Sequence, residues 1–222
     1  MPHPPHTQLA LYADNTAILT QSWRTDTILH RLTHVTSVLL RYFTRWKGNF
    51  KSRSTKQKPF YSLDADLFLQ HIFISQHTVI PWNTQVRYLG LLLDSKLLFT
   101  RHLTSVIRKA TGIFLQIFPF LARDSTLSIP NNITLYKLCI RPILTYAAPV
   151  WSNTSSYNYR QLQISQSKCL RVIGNSPRRT PKPRLHTTLN VTPIRDFIYH
   201  LTANFFDRCP AHPNPLGRSV GN

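Results

Sequence analysis

The chain has 222 residues, 42% of them hydrophobic and 16% charged, which is enough for one large domain or two small ones with a real core. Lys and Arg number 27 against 8 acids, all of them Asp, and the net charge is +19. The aromatic content excludes a disordered tail, and the lack of any apolar run of about 18 residues excludes a membrane-spanning helix.

Two short apolar runs, Leu9–Tyr12 and Thr16–Leu19, flank Asp14-Asn15. Asp and Asn tolerate the left-handed backbone of a tight turn, so this segment predicts a β-hairpin. Ile28, Leu32, Val35, Leu39, Tyr42 and Trp46 then recur every three or four residues, predicting a helix that Gly48 ends. Arg45, Lys47, Lys51, Arg53, Lys56 and Lys58 make the next stretch strongly basic. Strand character resumes over His71–Ser75, Thr78–Ile80 and Val86–Leu93, the last as a run buried on both faces.

From Arg101 the pattern is helical. Leu103, Val106, Ile107, Ala110, Ile113, Phe114, Ile117 and Phe118 form a wide apolar stripe that Pro119 closes. Further helices are predicted over Asn132–Ile140, breaking near Pro142, and over Tyr159–Ile173. A last one starts with Thr192 as N-cap and Pro193 as its first residue. Ser176–Arg184 reads as a Pro-rich basic loop between the last two. Strands first and helices afterwards predict two units, with the boundary near Asp94–Arg101.

The charge points to a polyanionic partner, most commonly nucleic acid. Arg outnumbers Lys two to one, which suits forked hydrogen bonding to phosphate. Arg87, Lys96, Arg101, Arg108 and Lys109 form one cluster, and Arg178, Arg179, Lys182 and Arg184 another. Either could instead be a solvated face. Cys139, Cys169 and Cys209 are odd in number and far apart, so we expect a reducing, intracellular setting and no disulfide-linked partner. Nucleus and cytoplasm are not distinguished by it. Met1–His6 lacks a basic flank followed by an apolar stretch, so no signal peptide is expected. Cys209 and His212 have the spacing of half a zinc site, but no second pair follows. Asp64 and Asp66 would share one face of a strand, more often a solvated edge than a metal site.

A carboxylate at a strand-turn-strand reversal can serve a metal ion, and it can equally serve the turn itself. Spacing alone favours the turn for Asp14. The segment Leu9-Ala-Leu-Tyr-Ala-Asp-Asn-Thr-Ala-Ile18, however, resembles the palm motif of reverse transcriptases from jockey-like non-LTR retrotransposons, usually written Tyr-Ala-Asp-Asp-Thr-Ala. Three later stretches resemble the same family in order. They are Val86–Leu97, Leu135–Leu138 with Arg141–Tyr146 and Pro149–Trp151, and Leu162–Ile173 followed by Pro193-Ile194.

That resemblance implies an α+β chain: a partial palm over 1–97, a helical thumb with an extension over 98–209, and a loose tail over 210–222. It implies Asp14 as a catalytic Mg2+ ligand with Asn15 beside it, and Tyr88, Leu89 and Gly90 as the turn that grips the primer's 3′ end. The implied partners are an RNA template, a DNA primer or target DNA, and dNTP in the intact parent enzyme. Asn15 departs from the motif, because an amide coordinates Mg2+ without adding charge. The segment after Trp46, where the family has an Asn and a Lys-Thr or Lys-Ser pair, carries Lys51 and Arg53-Ser54-Thr55, so no general acid is assigned. The family's first metal-binding Asp and its fingers lie upstream of this hairpin. The expectation is therefore a truncated RNA-directed DNA polymerase inactive on its own, the alternative being a non-catalytic basic RNA- or DNA-binding remnant.

Overall fold

The computed structural model describes residues 7–12, 15–45, 73–75, 78–80, 83–122 and 125–218. The chain is a mixed α/β protein, mostly helical, with small antiparallel hairpins, and it divides into two compact units, Met1–Leu97 and Leu98–Asn222.

In the first unit, β1 (Thr7–Tyr12) pairs with β2 (Asn15–Thr20), β3 (Phe73–Ser75) with β4 (Thr78–Ile80), and β5 (Gln85–Tyr88) with β6 (Leu91–Asp94), each antiparallel. The run 86–93, expected as one buried strand, is therefore two strands and a turn, and only Leu91 within it is buried. The helix α1 (Thr25–Arg45) lies against β2 and β3. Asp26 in its first turn favours the helix dipole. Val35 and Leu39, four apart, are buried on its inner face, with Ile28 and Leu32 half-buried. Trp46, Gly48, the basic stretch 47–58, Asp64 and Asp66 lie outside the described residues.

The second unit starts with α2 (Thr100–Leu121). Pro119 sits inside this helix and does not close it; so near the end, its missing N–H removes a single bond, and Ala122 N still donates to Phe118 O at 2.9 Å. The next helix runs as α3 (Ile129–Leu135), a π-helical stretch Tyr136–Ile140, and α4 (Arg141–Leu144). Pro142 was expected to break it near Ile140. The widened turn instead absorbs the proline: Arg141 N reaches back five residues to Tyr136 O, and the chain continues.

A short α5 (Ala148–Trp151) seats Trp151, whose Nε1–H donates to Tyr146 O at 2.8 Å. Ser155 caps α6 (Ser156–Ile173) by accepting from Asn158 N. The supposed loop 176–184 contains the start of another helix, α7 (Lys182–Leu189), with Pro183 in its first turn and Asn190 left-handed at its end (φ 47°). Then come α8 (Ile194–Arg208), a 3-10 turn Cys209–Ala211 and α9 (Pro215–Arg218). No described helix is long and apolar enough to cross a membrane.

The core of this unit gathers Leu103, Ile140, Leu144, Trp151, Leu162, Leu170 and Ile198, all at most 1% exposed. Among the polar side chains described, Gln166 and Ser167 are buried as fully. Gln166 donates through Nε2 to Tyr136 Oη (3.1 Å) and Thr192 O (3.0 Å), and through Oε1 accepts from Ile194 N (2.8 Å) and Gln163 Nε2 (3.1 Å). All four of its hydrogen-bonding capacities are met, so burial is tolerated. Thr192 does not cap α8. Pro193 occupies that position with no side chain to offer, and Gln166 of α6 supplies the acceptor for Ile194 N. Beside it, His186 Nδ1 donates to Val191 O (2.7 Å), leaving Nε2 to accept from Gln163 (2.9 Å). Burial pushes the Tyr136 phenol far above its usual range, only partly offset by the hydrogen bond from Gln166. It also pushes the Cys169 thiol up to about 12.

Candidate nucleic-acid interface

The first hairpin is pinned by alternation. Thr7 pairs with Thr20 and Leu9 with Ile18, and these lie less exposed than Gln8, Ala10 and Leu19 between them. Thr7 Oγ1 donates to Thr20 Oγ1 at 3.4 Å, closing the open end. At the other end Tyr12 pairs with Asn15. Asn15 is thus a ladder residue, the first of β2, and not part of the reversal as its sequence neighbourhood predicted. Asp14 lies outside the described residues.

The donor set offered by the motif is one carboxylate, Asp14, and one amide, Asn15. Two Mg2+ ions clamping a phosphoryl transfer need several charged oxygen ligands. These two residues alone do not meet that need. Among the described residues no three His, Cys, Asp or Glu side chains come together as a metal site. Cys209 Sγ donates to Phe205 O at 3.4 Å, and His212 Nδ1 accepts from Asn214 N at 3.1 Å.

The second hairpin turns through two residues with positive φ, Leu89 at 45° and Gly90 at 81°. Two left-handed central residues define the mirror-image turn whose twist matches the strands it joins. Gly fits the second position at no steric cost. Leu at the first costs about 1–2 kcal/mol relative to a right-handed backbone. Tyr88, half-buried, pairs with Leu91 at the mouth of the turn, and exposed Arg87 pairs with Leu92. Ser95 N donates to Thr84 O at 3.1 Å, extending the ladder, and Leu97 N to Asp94 O at 2.8 Å, bending the chain away. Lys96 is exposed in that bend.

At the head of the second unit Phe99 is buried and left-handed (φ 58°), and its carbonyl accepts from Leu103 N at 2.9 Å. Thr154 Oγ1 and Asn158 Nδ2 both donate to Leu98 O, which ties the start of α2 to the start of α6. From this anchored end α2 presents Arg101, Arg108 and Lys109, all exposed. Arg101 and Arg108 are two helical turns apart, about 10 Å along one side. The helix carries no acid.

Of the second cluster, Arg178 and Arg179 are exposed in the turn after α6, while Lys182 and Arg184 stand in the first turn of α7. The structure adds two cations not predicted as site residues. Lys168 and Arg171, one turn apart on α6, line a groove together with Arg178, Lys182 and the apolar side chains Phe114, Ile164 and Val172. Arg171 Nη2 donates to Thr180 O at 3.4 Å. A basic pair at helical spacing, directly before a basic turn, was the available signal for them.

No family model matches the chain, and no solved structure matches it. Among curated proteins it is 26% identical, over 99% of its length, to the "Probable RNA-directed DNA polymerase from transposon BS" of Drosophila melanogaster. It is 27% identical, over 96% of its length, to the "RNA-directed DNA polymerase from mobile element jockey" of Drosophila funebris. Over 64% of its length it is 26% identical to the "Probable RNA-directed DNA polymerase from transposon X-element" of Drosophila melanogaster. The chain spans about a quarter of the length of the first two relatives, 24% and 23%.

Proposed function

We infer that this chain, whose relatives over nearly its whole length are RNA-directed DNA polymerases of non-LTR retrotransposons, corresponds to the part of such a polymerase that holds the primer–template. In this reading residues 1–97 are the second part of the palm, and the helical unit from Leu98 is the thumb with its extension. Tyr88, Leu89 and Gly90 meet the primer's 3′ end. Arg87 and Lys96 of the first unit, and Arg101, Arg108 and Lys109 of the second, each contact backbone phosphates of an RNA template paired with DNA. The observation that carries the reading is local. The resemblance marked a turn at Tyr88-Leu89-Gly90, and there two left-handed residues reverse paired strands, followed at once by a long helix with three exposed cations and no acid. A close-approaching glycine turn suits contact with a strand end, and additive, sequence-independent charge suits a backbone.

For the 222 residues by themselves we propose holding without chemistry, since Asp14 and Asn15 supply a single negative charge for a two-ion centre. Asn15 is also what favours the second reading, a basic RNA- or DNA-binding module with no part in polymerisation. The test is incorporation of labelled dNTP on a primed RNA template with Mg2+ present, beside a binding assay on the same template. The expected result is no incorporation, with affinity unchanged by Asp14→Ala and reduced several-fold by Gly90→Val. Incorporation that Asp14→Ala abolishes would overturn the inactive assignment. Binding indifferent to Gly90→Val as well would favour the plain module.

A further inference from the structure

We propose that the groove between α2, α6 and the connection leading into α7 takes an unpaired stretch of nucleic acid, with a phosphodiester on Arg171, Arg178 and Lys182 and its base laid against Phe114. This rests on the nucleic-acid reading above and specifies the form of nucleic acid this face accepts. The groove has a volume of about 420 Å³, within the range of small-ligand sites and ample for one nucleotide. Its walls are of two kinds. Phe114 and Ile164 make an apolar side, and Lys168, Arg171, Arg178 and Lys182 make a cationic one.

Neither α2 nor α6, nor the chain from 174 to 189, contains a single acid, so none of the elements lining the groove supplies a carboxylate to neutralise these charges. Arg171 is the fixed member. Its Nε is buried without a hydrogen-bond partner and Nη2 donates to Thr180 O at 3.4 Å, so the half-buried guanidinium is held at the groove with acceptors in short supply. The accessible part of this guanidinium lines the groove, where a phosphate oxygen can accept from it.

The apolar side decides between single strand and duplex. A duplex stacks its bases away and offers only phosphates and groove edges, leaving an aromatic wall unused. An unpaired base offers a flat face to Phe114, and base–aromatic stacking tolerates any sequence. An acidic peptide matches the charge and has no such face.

The test is fluorescence anisotropy with the full chain, using a labelled 12-nucleotide oligouridylate and, separately, a blunt 12-base-pair duplex. Arg178→Ala/Lys182→Ala, at exposed positions, is expected to weaken single-strand binding about tenfold or more near 0.1 M salt. It should also make the plot of log affinity against log salt shallower by about 1.4, the contribution of two phosphate contacts. Phe114→Leu should weaken single-strand binding about tenfold and spare the duplex, and Phe114→Trp should restore it. Arg208→Ala/Arg218→Ala, which removes the same charge elsewhere, should change affinity less than twofold. Three outcomes overturn the groove assignment alone. The folded variants could bind the single strand as the unmodified chain does, Phe114→Leu could weaken both forms equally, or polyglutamate at matched charge could displace the oligonucleotide. If neither nucleic acid binds the unmodified chain, the broader reading falls together with this one.

Discussion

Among the described residues of the first unit, Val35, Leu39 and Leu91 are the apolar side chains less than a tenth exposed, and each sits on the face of a helix or hairpin. In the second unit Trp151, Leu162, Leu170 and Ile198 are sealed completely or nearly so, around a buried glutamine with every hydrogen-bonding group satisfied. Two-stranded hairpins are marginal in water unless something packs on them. A helical core with a complete polar network keeps one arrangement. The comparison teaches where rigidity lies in the chain. The helical unit supplies it, while in the first unit α1 packs on β2 and β3 with few sealed side chains.

The largest expected effect comes from removing the polar tie. Gln166→Leu keeps the volume but leaves Thr192 O and the Tyr136 hydroxyl without their buried partner and Ile194 N with only the longer bond to Gln163 Oε1, which should cost the second unit roughly 3 kcal/mol. Hydrogen exchange at α6 amides reads it directly. Protection falling toward that of the β5–β6 hairpin would sharpen the comparison, and unchanged protection would break it.

The next effect is one of pH. Cys169 and Tyr136 stay neutral when folded because burial raises them from ordinary values of 9.0 and 10.0. Above those values the unfolded chain releases protons that the folded one keeps, so stability falls as pH rises. The loss should begin near pH 9 with Cys169 and steepen near pH 10 with Tyr136, at up to about 1.4 kcal/mol per pH unit for each group. Denaturant midpoints between pH 7 and 11 measure it, and Cys169→Ala should delay the onset to near 10. A flat profile would mean that these groups are not sealed.

The smallest effect concerns the first unit. Leu89→Asn places a residue that tolerates φ 45° in the turn, so the β5–β6 hairpin should gain up to about 1 kcal/mol in local protection. A loss would show that packing of the leucine outweighs its backbone strain.

Much of the second unit follows from spacing alone. Leu103, Val106 and Ala110 recur at helical intervals and are buried, since that stretch of α2 faces α6 and the π-helical segment. Phe118 continues the same stripe yet is 41% exposed, because periodicity says which side of a helix is apolar and not how far its neighbours reach. Three features escaped the sequence for identifiable reasons. The helix α7 offers only Leu185 and Leu189 as an apolar pair, too few to establish a period beside Lys182-Pro183-Arg184. Pro142 is a breaker by local rules, and only tertiary packing reveals that a widened turn accommodates it. Gln166 reads as a surface residue, because its partners come from segments 26 to 30 residues away. Of the site, the second reversal was legible only through the family resemblance at Tyr88-Leu89-Gly90, since the residues by themselves read as one continuous strand. The joining of Lys168 and Arg171 to Arg178 and Lys182 needed the fold.

The central claim is that this chain grips nucleic acid through backbone phosphates, and equilibrium binding of an RNA template with a DNA primer across a salt series tests it most directly. The account predicts tight binding at 50 mM salt and a linear fall of log affinity with log salt, with a slope near −4 or steeper, as expected for about five phosphate contacts. Absence of binding at low salt, or an affinity that salt leaves unchanged, would contradict it.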